Sequence, residues 1–243
     1  MIGTASPLAR KLTAFADLNA AELDVLDDLQ SRRRSFTAGR EVVVPIPHDQ
    51  TAFILTEGWA LSYRQRSGGA RQIVDFRIPG DFLGLRSMLL QKSDRAIAPV
   101  TPVVAAEVRV KDMLNTMVQT PRLGFALMWT ASRDEALLAD HVVSLSRRNA
   151  AERTAHFLLE LAARMQLVGL GGTAGYDCPL THFMMAEALG ISAIHINRVL
   201  RQLREAGFVT FEDGRVHFGD FEGLADFADF DRAYLDHSGP VLV

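Results

Sequence analysis

The sequence predicts an α+β chain of two domains. An N-terminal jelly-roll-like β-roll leads through one long helix into a C-terminal domain of two short helices and a β-hairpin. Three observations predict this. Residues 32 to 110 are a series of short apolar runs separated by Gly, Pro and Asp, the pattern of an all-β sandwich or jelly roll. Residues 121 to 147 hold no proline after Pro121 and only one glycine, Gly124, as a long helix requires. Residues 181 to 218 show two helical periodicities meeting at Gly190, followed by two short apolar runs around Asp213-Gly214.

Composition sets the bounds. The chain has 243 residues, 48% of them hydrophobic and 23% charged, the balance of a globular protein with room for two cores. No apolar run reaches the roughly 18 residues needed to cross a bilayer. The start, MIGTASPLARKLTAF, lacks the pattern of a secretory signal, so a cytoplasmic location is expected, with no membrane partner. The single cysteine, Cys178, excludes an internal disulfide, and no CxxC or Cys/His spacing points to a metal or an iron–sulfur cluster. Cys178 reads as a half-buried thiol rather than a redox sensor. The net charge of −3 is uneven: residues 1 to 145 hold 17 basic and 16 acidic side chains, residues 146 to 218 hold 8 and 7, and residues 219 to 243 hold 1 and 6. The acid lies in the C-terminal tail, which leaves room for a basic face in the middle segment.

In chain order, Pro7 to Leu29 carries Leu18, Leu23, Val25, Leu26 and Leu29 and reads as one or two short helices against the β-roll. The strand-like runs are RSFTAGREVVV, TAFILTEGWALSYRQR, ARQIVDFRIPGDFLGL and PVVAAEVRV. In the long helix, Gly124, Ala131, Leu138 and Leu145, with Met128 and Val142, form a heptad seam broken by Glu135. Such a seam suits pairing with a second copy through Leu138, Val142 and Leu145, or burial against the chain's own β-domain. Ser146 to Asn149 reads as a hinge, and a further helix runs from Ala150 to about Met165 before the glycine-rich stretch GLGGTAG.

The most informative segment is THFMMAEALGISAIHINRVLRQLR, residues 181 to 204. Thr181 is a cap for a first helix with Met184, Met185, Ala188 and Leu189 inward, and Gly190 suits a positive φ at its end. Ser192 is a cap for a second helix, with Ile196, Val199, Leu200 and Leu203 on its buried face. Small Ala186 sits where the two cross. This is a helix-turn-helix, and FVTF-EDG-RVHF supplies a wing around an Asp-Gly turn. The outward face of the second helix then presents Ala193, Ile194, His195, Asn197, Arg198 and Arg201. Arg matches guanine O6/N7 and Asn matches adenine N6/N7 in the major groove. Arg215 beside the wing turn is placed for a DNA phosphate, and Thr181, His182 and Ser192 complete the candidate DNA-contacting set.

The order of elements, with the AGREVVV and ILTEGWA strands, PGDFLG, and the LTHFMMAEALGIS and NRVLRQLREAGFV blocks, resembles the cyclic-AMP receptor protein / FNR (CRP/FNR) superfamily of bacterial transcription regulators over nearly the whole chain. The resemblance implies a cyclic-nucleotide-binding-domain-like sensor over residues 1 to 120, a dimerisation helix and hinge over 121 to 147, and a winged helix-turn-helix with acidic tail over 148 to 243. It also implies a homodimer on a near-palindromic double-stranded operator, in contact with RNA polymerase.

The family's effector pocket maps onto Gly84, Leu85, Arg86, Arg95 and Ala96. Cyclic-nucleotide-binding members carry a Glu for the ribose where this chain has Leu85. They carry an Arg for the phosphate, here Arg95, followed by a Ser where this chain has Ala96. With two of three contacts missing, cyclic AMP is not expected to bind, and the effector is unassigned. Haem is not expected either, since His48 is the sole histidine before the long helix. Many members also carry a Glu where this chain has Ile194, so the family's usual half-site does not transfer. Two alternatives remain: a regulator controlled by abundance alone, and a small-molecule-binding, cupin-like domain fused to an interaction module. Cupin metal sites need clustered His ligands, and residues 32 to 110 hold one. No nucleophile triad, phosphate loop or paired acid stands out, so no enzyme is expected.

Overall fold

A computed structural model describes residues 5–37, 41–42, 51–65, 68–69, 71–90, 95–231 and 235. They fall into two compact units, one ending at Thr130 and the other beginning at Ala131.

The first unit opens with α1 (Pro7–Thr13) and α2 (Ala20–Leu29). Ser6 caps α1 ahead of Pro7, and Asn19 with Glu22 forms a reciprocal capping box on α2. The strands are β1 (Arg33–Phe36), β2 (Thr51–Glu57), β3 (Ala60–Gln65), β4 (Arg71–Arg77) and β5 (Phe82–Leu83). After the short α3 (Leu85–Leu89) come β6 (Arg95–Pro99) and β7 (Val103–Arg109). They make two antiparallel sheets, ordered β1-β7-β2-β5 and β4-β3-β6. Of the AGREVVV run only Glu41 and Val42 are among the described residues, and His48 lies outside them.

Two of the strand-like runs are broken at corners, the second at the Pro79-Gly80-Asp81 turn that its residues predict. TAFILTEGWALSYRQR divides into β2 and β3, which lie in different sheets. The break is Gly58, at φ 82, where a Cβ would stand 2.1 Å from the Pro102 carbonyl oxygen, so no side chain fits. ARQIVDFRIPGDFLGL divides in the same way into β4 and β5 at the Pro79-Gly80-Asp81 turn. That turn is pinned by the buried Asp81: one carboxylate oxygen accepts from Lys11 Nζ at 2.7 Å and the other from the Ile78 amide at 3.0 Å. A buried charge is tolerated only when paired in this way.

The burial of β2 explains its unbroken apolar run. Phe53 and Leu55 join Phe36, Ala60, Leu83, Ile97, Val103 and Ala105 in a core shared by both sheets. Ala52 and Ile54 face the other way, into a second core with Leu8, Leu12, Leu26, Phe82, Val108 and Leu123. Strands covered on both faces lose the polar alternation.

A helix that periodicity did not separate from the preceding strand, α4 (Val110–Gln119), leads into α5 (Pro121–Arg147). Gly124 is buried, its absent Cβ position 3.0 Å from Met117 Cγ of α4. It therefore belongs to the packing of its own domain and not to the heptad seam. Leu138 is half-buried, whereas Phe125, Met128, Val142 and Leu145 are each more than half exposed.

In the second unit, α5 ends at Arg147 and α6 (Ala150–Leu167) starts at once from a capping box of Asn149 and Glu152. The break is thus confined to Arg148 and Asn149. Then follow β8 (Gly171–Gly172), β9 (Gly175–Asp177), α7 (His182–Leu189), α8 (Ala193–Glu205), β10 (Val209–Glu212), β11 (Arg215–Phe218) and α9 (Phe221–Phe227). The glycine-rich stretch is a hairpin that extends the wing into a sheet of order β10-β11-β9-β8. The acidic tail is in part a helix. Asp220 caps α9, Leu224 is buried, Phe221 meets Phe218 edge-on, and Phe227 packs at a tilt against Phe208.

Cys178 is fully buried, and that burial, offset only slightly by the Leu180 amide, pushes its thiol up to about 12. A thiol reagent at pH 8 is expected to leave the native chain unlabelled and to modify it fully after denaturation. Rapid labelling of the native protein would show that β9 and the segment after it open readily. Among the described residues no helix is long and apolar enough to cross a membrane.

Candidate nucleic-acid interface

The helix-turn-helix forms as its capping residues dictate. Thr181 Oγ1 accepts from the Met184 amide at 3.2 Å, and Ser192 Oγ from the His195 amide at 3.1 Å. Between the helices Gly190 takes φ 67, and the Ile191 amide donates back to the Ala186 carbonyl at 3.0 Å, closing α7 in the Schellman manner. Met185, Ala186 and Leu189 form the buried face of α7, with Met184 and Ala188 half-buried at its margin. On α8, Ile196, Val199, Leu200 and Leu203 are buried, a stripe at i, i+3, i+4 and i+7 that fixes the helix's rotation.

That rotation turns the candidate readers outward. Ala193, Ile194, Asn197, Arg198 and Arg201 are exposed, Ile194 at 84%, and His195 is half-buried beside them. Arg198 Nη2 lies 3.3 Å from His195 Nε2; since a guanidinium only donates, this contact uses the imidazole nitrogen as acceptor. Asn197 Nδ2 donates to the Ala193 carbonyl at 2.8 Å, so it must break that bond to present its full amide to a base. Arg201 reaches Glu205 at 3.9 Å, a surface pair of little strength. Arg198 and Arg201 are therefore the long donors of this face, each held only by a weak contact to its own helix.

The wing is a two-residue hairpin, with Asp213 at φ 52 and Gly214 at φ 71, the backbone of a type I′ turn. Arg204 Nη1 donates to Glu212 Oε1 at 2.9 Å and ties α8 to the wing. Arg215 stands opposite Asp177 in register, with Nη1 3.4 Å from Oδ1. A groove of about 470 Å3 runs between the start of α7 and the wing, lined by Thr181, His182, Phe211 and Gly214 among others.

Sequence reasoning missed Arg153. From α6 it donates to the Leu189 carbonyl at 2.7 Å and the Arg148 carbonyl at 3.2 Å, so it satisfies the end of α7 and holds the turn against α6. Only an inward Arg four residues into a capped helix hinted at it. The proposed effector residues are split between the sheets. Gly84 (φ 76), Leu85 and Arg86 follow β5 in the first sheet, while Arg95 and Ala96 lie on β6 in the second. Leu85 packs against the core of α1, α2 and α5, and Ala96 is buried opposite Tyr63.

A winged helix-turn-helix with such an outward face, on a chain that begins with a β-roll, defines a DNA-binding transcription regulator. Residues 152–227 match the family model described as a Crp-like helix-turn-helix domain. The nitrogen fixation regulation protein FixK of Bradyrhizobium diazoefficiens is 30% identical over 212 residues, covering 87% of each chain. The transcriptional activator protein FnrA of Stutzerimonas stutzeri is 26% identical over 216 residues, covering 87% of this chain and 86% of its own. The solved structure of FixK2 from Bradyrhizobium japonicum has the same fold, with TM-score 0.69 and 23% identity over 80% of this chain and 95% of that one. The chain belongs to the CRP/FNR family of transcription regulators.

Proposed function

We propose that this regulator acts in the cytoplasm as a homodimer. Each protomer inserts α8 into the major groove of one half of a near-palindromic operator, and the bound dimer contacts RNA polymerase. The observation that carries this is the two-faced build of α8: Ile196, Val199, Leu200 and Leu203 locked inward, and Arg198 with its neighbours turned out. Chromatin immunoprecipitation of the tagged chain should recover discrete sites beside promoters. Even recovery across the chromosome would contradict a sequence-specific role.

No iron–sulfur cluster forms part of this reading, since one cysteine cannot hold one. The effector, where there is one, is not cyclic AMP. Leu85 offers the ribose hydroxyls no hydrogen bond, and a polar group buried without a partner loses about 1–3 kcal/mol. Titration calorimetry with cyclic AMP should show no micromolar binding; a micromolar or tighter dissociation constant would overturn this part of the reading.

A further inference from the structure

Helices α5 and α6 bring four titratable side chains together within the second unit. Asp140 and His141 are neighbours on α5, while His156 and Glu160 stand one turn apart on α6, where the i, i+4 spacing aims both to one side. One ligand atom from each of Asp140, His156 and Glu160 lies within 4.8 Å of the others. His156 Nε2 is 3.2 Å from Asp140 Oδ2. Two ligands sharing an ion through bonds of about 2.0–2.2 Å stand about 3.4 Å apart in tetrahedral geometry. His141 adds an outer layer, its Nε2 2.8 Å from Glu160 Oε2.

Ion pairing does not account for the whole cluster. Arg148 approaches Asp140 Oδ2, the oxygen nearest His156, at 3.3 Å, and Arg164 approaches Glu160 Oε1 at 3.4 Å while His141 lies against Oε2. What these leave unmet is His156. Its side chain is 2% exposed and set edge-on to Phe230 with ring centroids 4.9 Å apart. Its Nε2, aimed at Asp140, makes no aligned hydrogen bond. Buried polar atoms are almost always satisfied, and a cation seated between the imidazole and the two carboxylates would satisfy this one.

We propose that Asp140, His156 and Glu160 form a site for one divalent first-row transition-metal ion, with His141 orienting Glu160 and solvent completing the coordination. One imidazole and two carboxylates are a mixed N/O set suited to zinc, iron or manganese. The 18% exposure of the Asp140 side chain gives a way in. The ion ties the last turns of α5 to α6, the helix that also holds α7 through Arg153. The spacing of Cys and His along the chain gives no sign of this site, because two helices assemble it. It stands on these residues alone and does not rest on α8 reading DNA.

The test is titration of the chelator-treated full-length chain with Co2+, whose visible d–d absorption reports coordination. One equivalent per chain should bind, be displaced by Zn2+, and Zn2+ should raise the melting temperature. Asp140→Asn should weaken Co2+ binding about 100-fold and His141→Ala about 10-fold. Glu160→Gln should abolish it, but this residue is fully buried, so the two partly exposed positions carry the test, with unchanged metal-free circular dichroism as the check on folding. No saturable binding up to millimolar Co2+ overturns the proposal. So does binding that Asp140→Asn and His141→Ala both leave within threefold of wild type.

Discussion

Arg198→Ala is expected to weaken binding to the operator by about 1–3 kcal/mol and to relax preference at one base pair of each half-site. The residue shares the face of α8 opposite Ile196, Val199, Leu200 and Leu203, and it is less committed to its own helix than Asn197. Its side chain makes no buried contact, so the loss will not come from unfolding. Arg215→Ala provides the contrast. The wing residue, held near Asp177 on the adjacent strand, reaches only backbone, so its loss should weaken all sequences alike and flatten the salt dependence by about one unit of slope. Fluorescence anisotropy on operator and random duplexes over a salt series separates the two. Equal losses on both duplexes for Arg198→Ala would make it a phosphate contact and move base reading to His195 and Asn197.

Val142→Asp should split the dimer and lower operator affinity by about 10²–10⁴-fold, the range by which joining two binding heads exceeds one. Val142 is 66% exposed in the single chain, so a carboxylate there costs the protomer nothing, whereas across a two-fold axis it would meet its own copy. Leu145 is exposed beside it, while Leu138 is half-buried, so Leu138→Asp should show the same loss with added risk to the fold. Sedimentation at micromolar concentration should find the wild type dimeric and Val142→Asp monomeric. A monomeric wild type with full operator affinity would remove pairing through α5 from the account.

The C-terminal unit was legible because its signals are local. Thr181, Gly190, Ser192 and Asp213-Gly214 each specify a cap or turn within a few residues, and the structure realises every one. The β-roll was legible as a class, down to the Pro79-Gly80-Asp81 turn, but not at the corner at Gly58. Strands buried on both faces carry no alternation, so nothing in ILTEGWAL marked the crossing at Gly58 except the glycine itself. Helix α4 was hidden because it follows β7 with no breaker between them. The α9 helix was masked by its acid, although Phe221, Leu224 and Phe227 keep helical spacing. Arg153 and the Asp140, His156 and Glu160 cluster depend on contacts between elements, which periodicity does not encode.

The central claim is that α8 reads a two-fold symmetric site, and selection of bound duplexes from a random library tests it most directly. The wild-type full-length chain should enrich an inverted repeat whose half-sites lie about 34 Å apart, one turn of B-DNA. The same selection with Arg198→Ala should lose information at one base pair of each half-site and keep the rest. A library that enriches no motif, or one motif shared unchanged by both proteins, would contradict α8 as the reader.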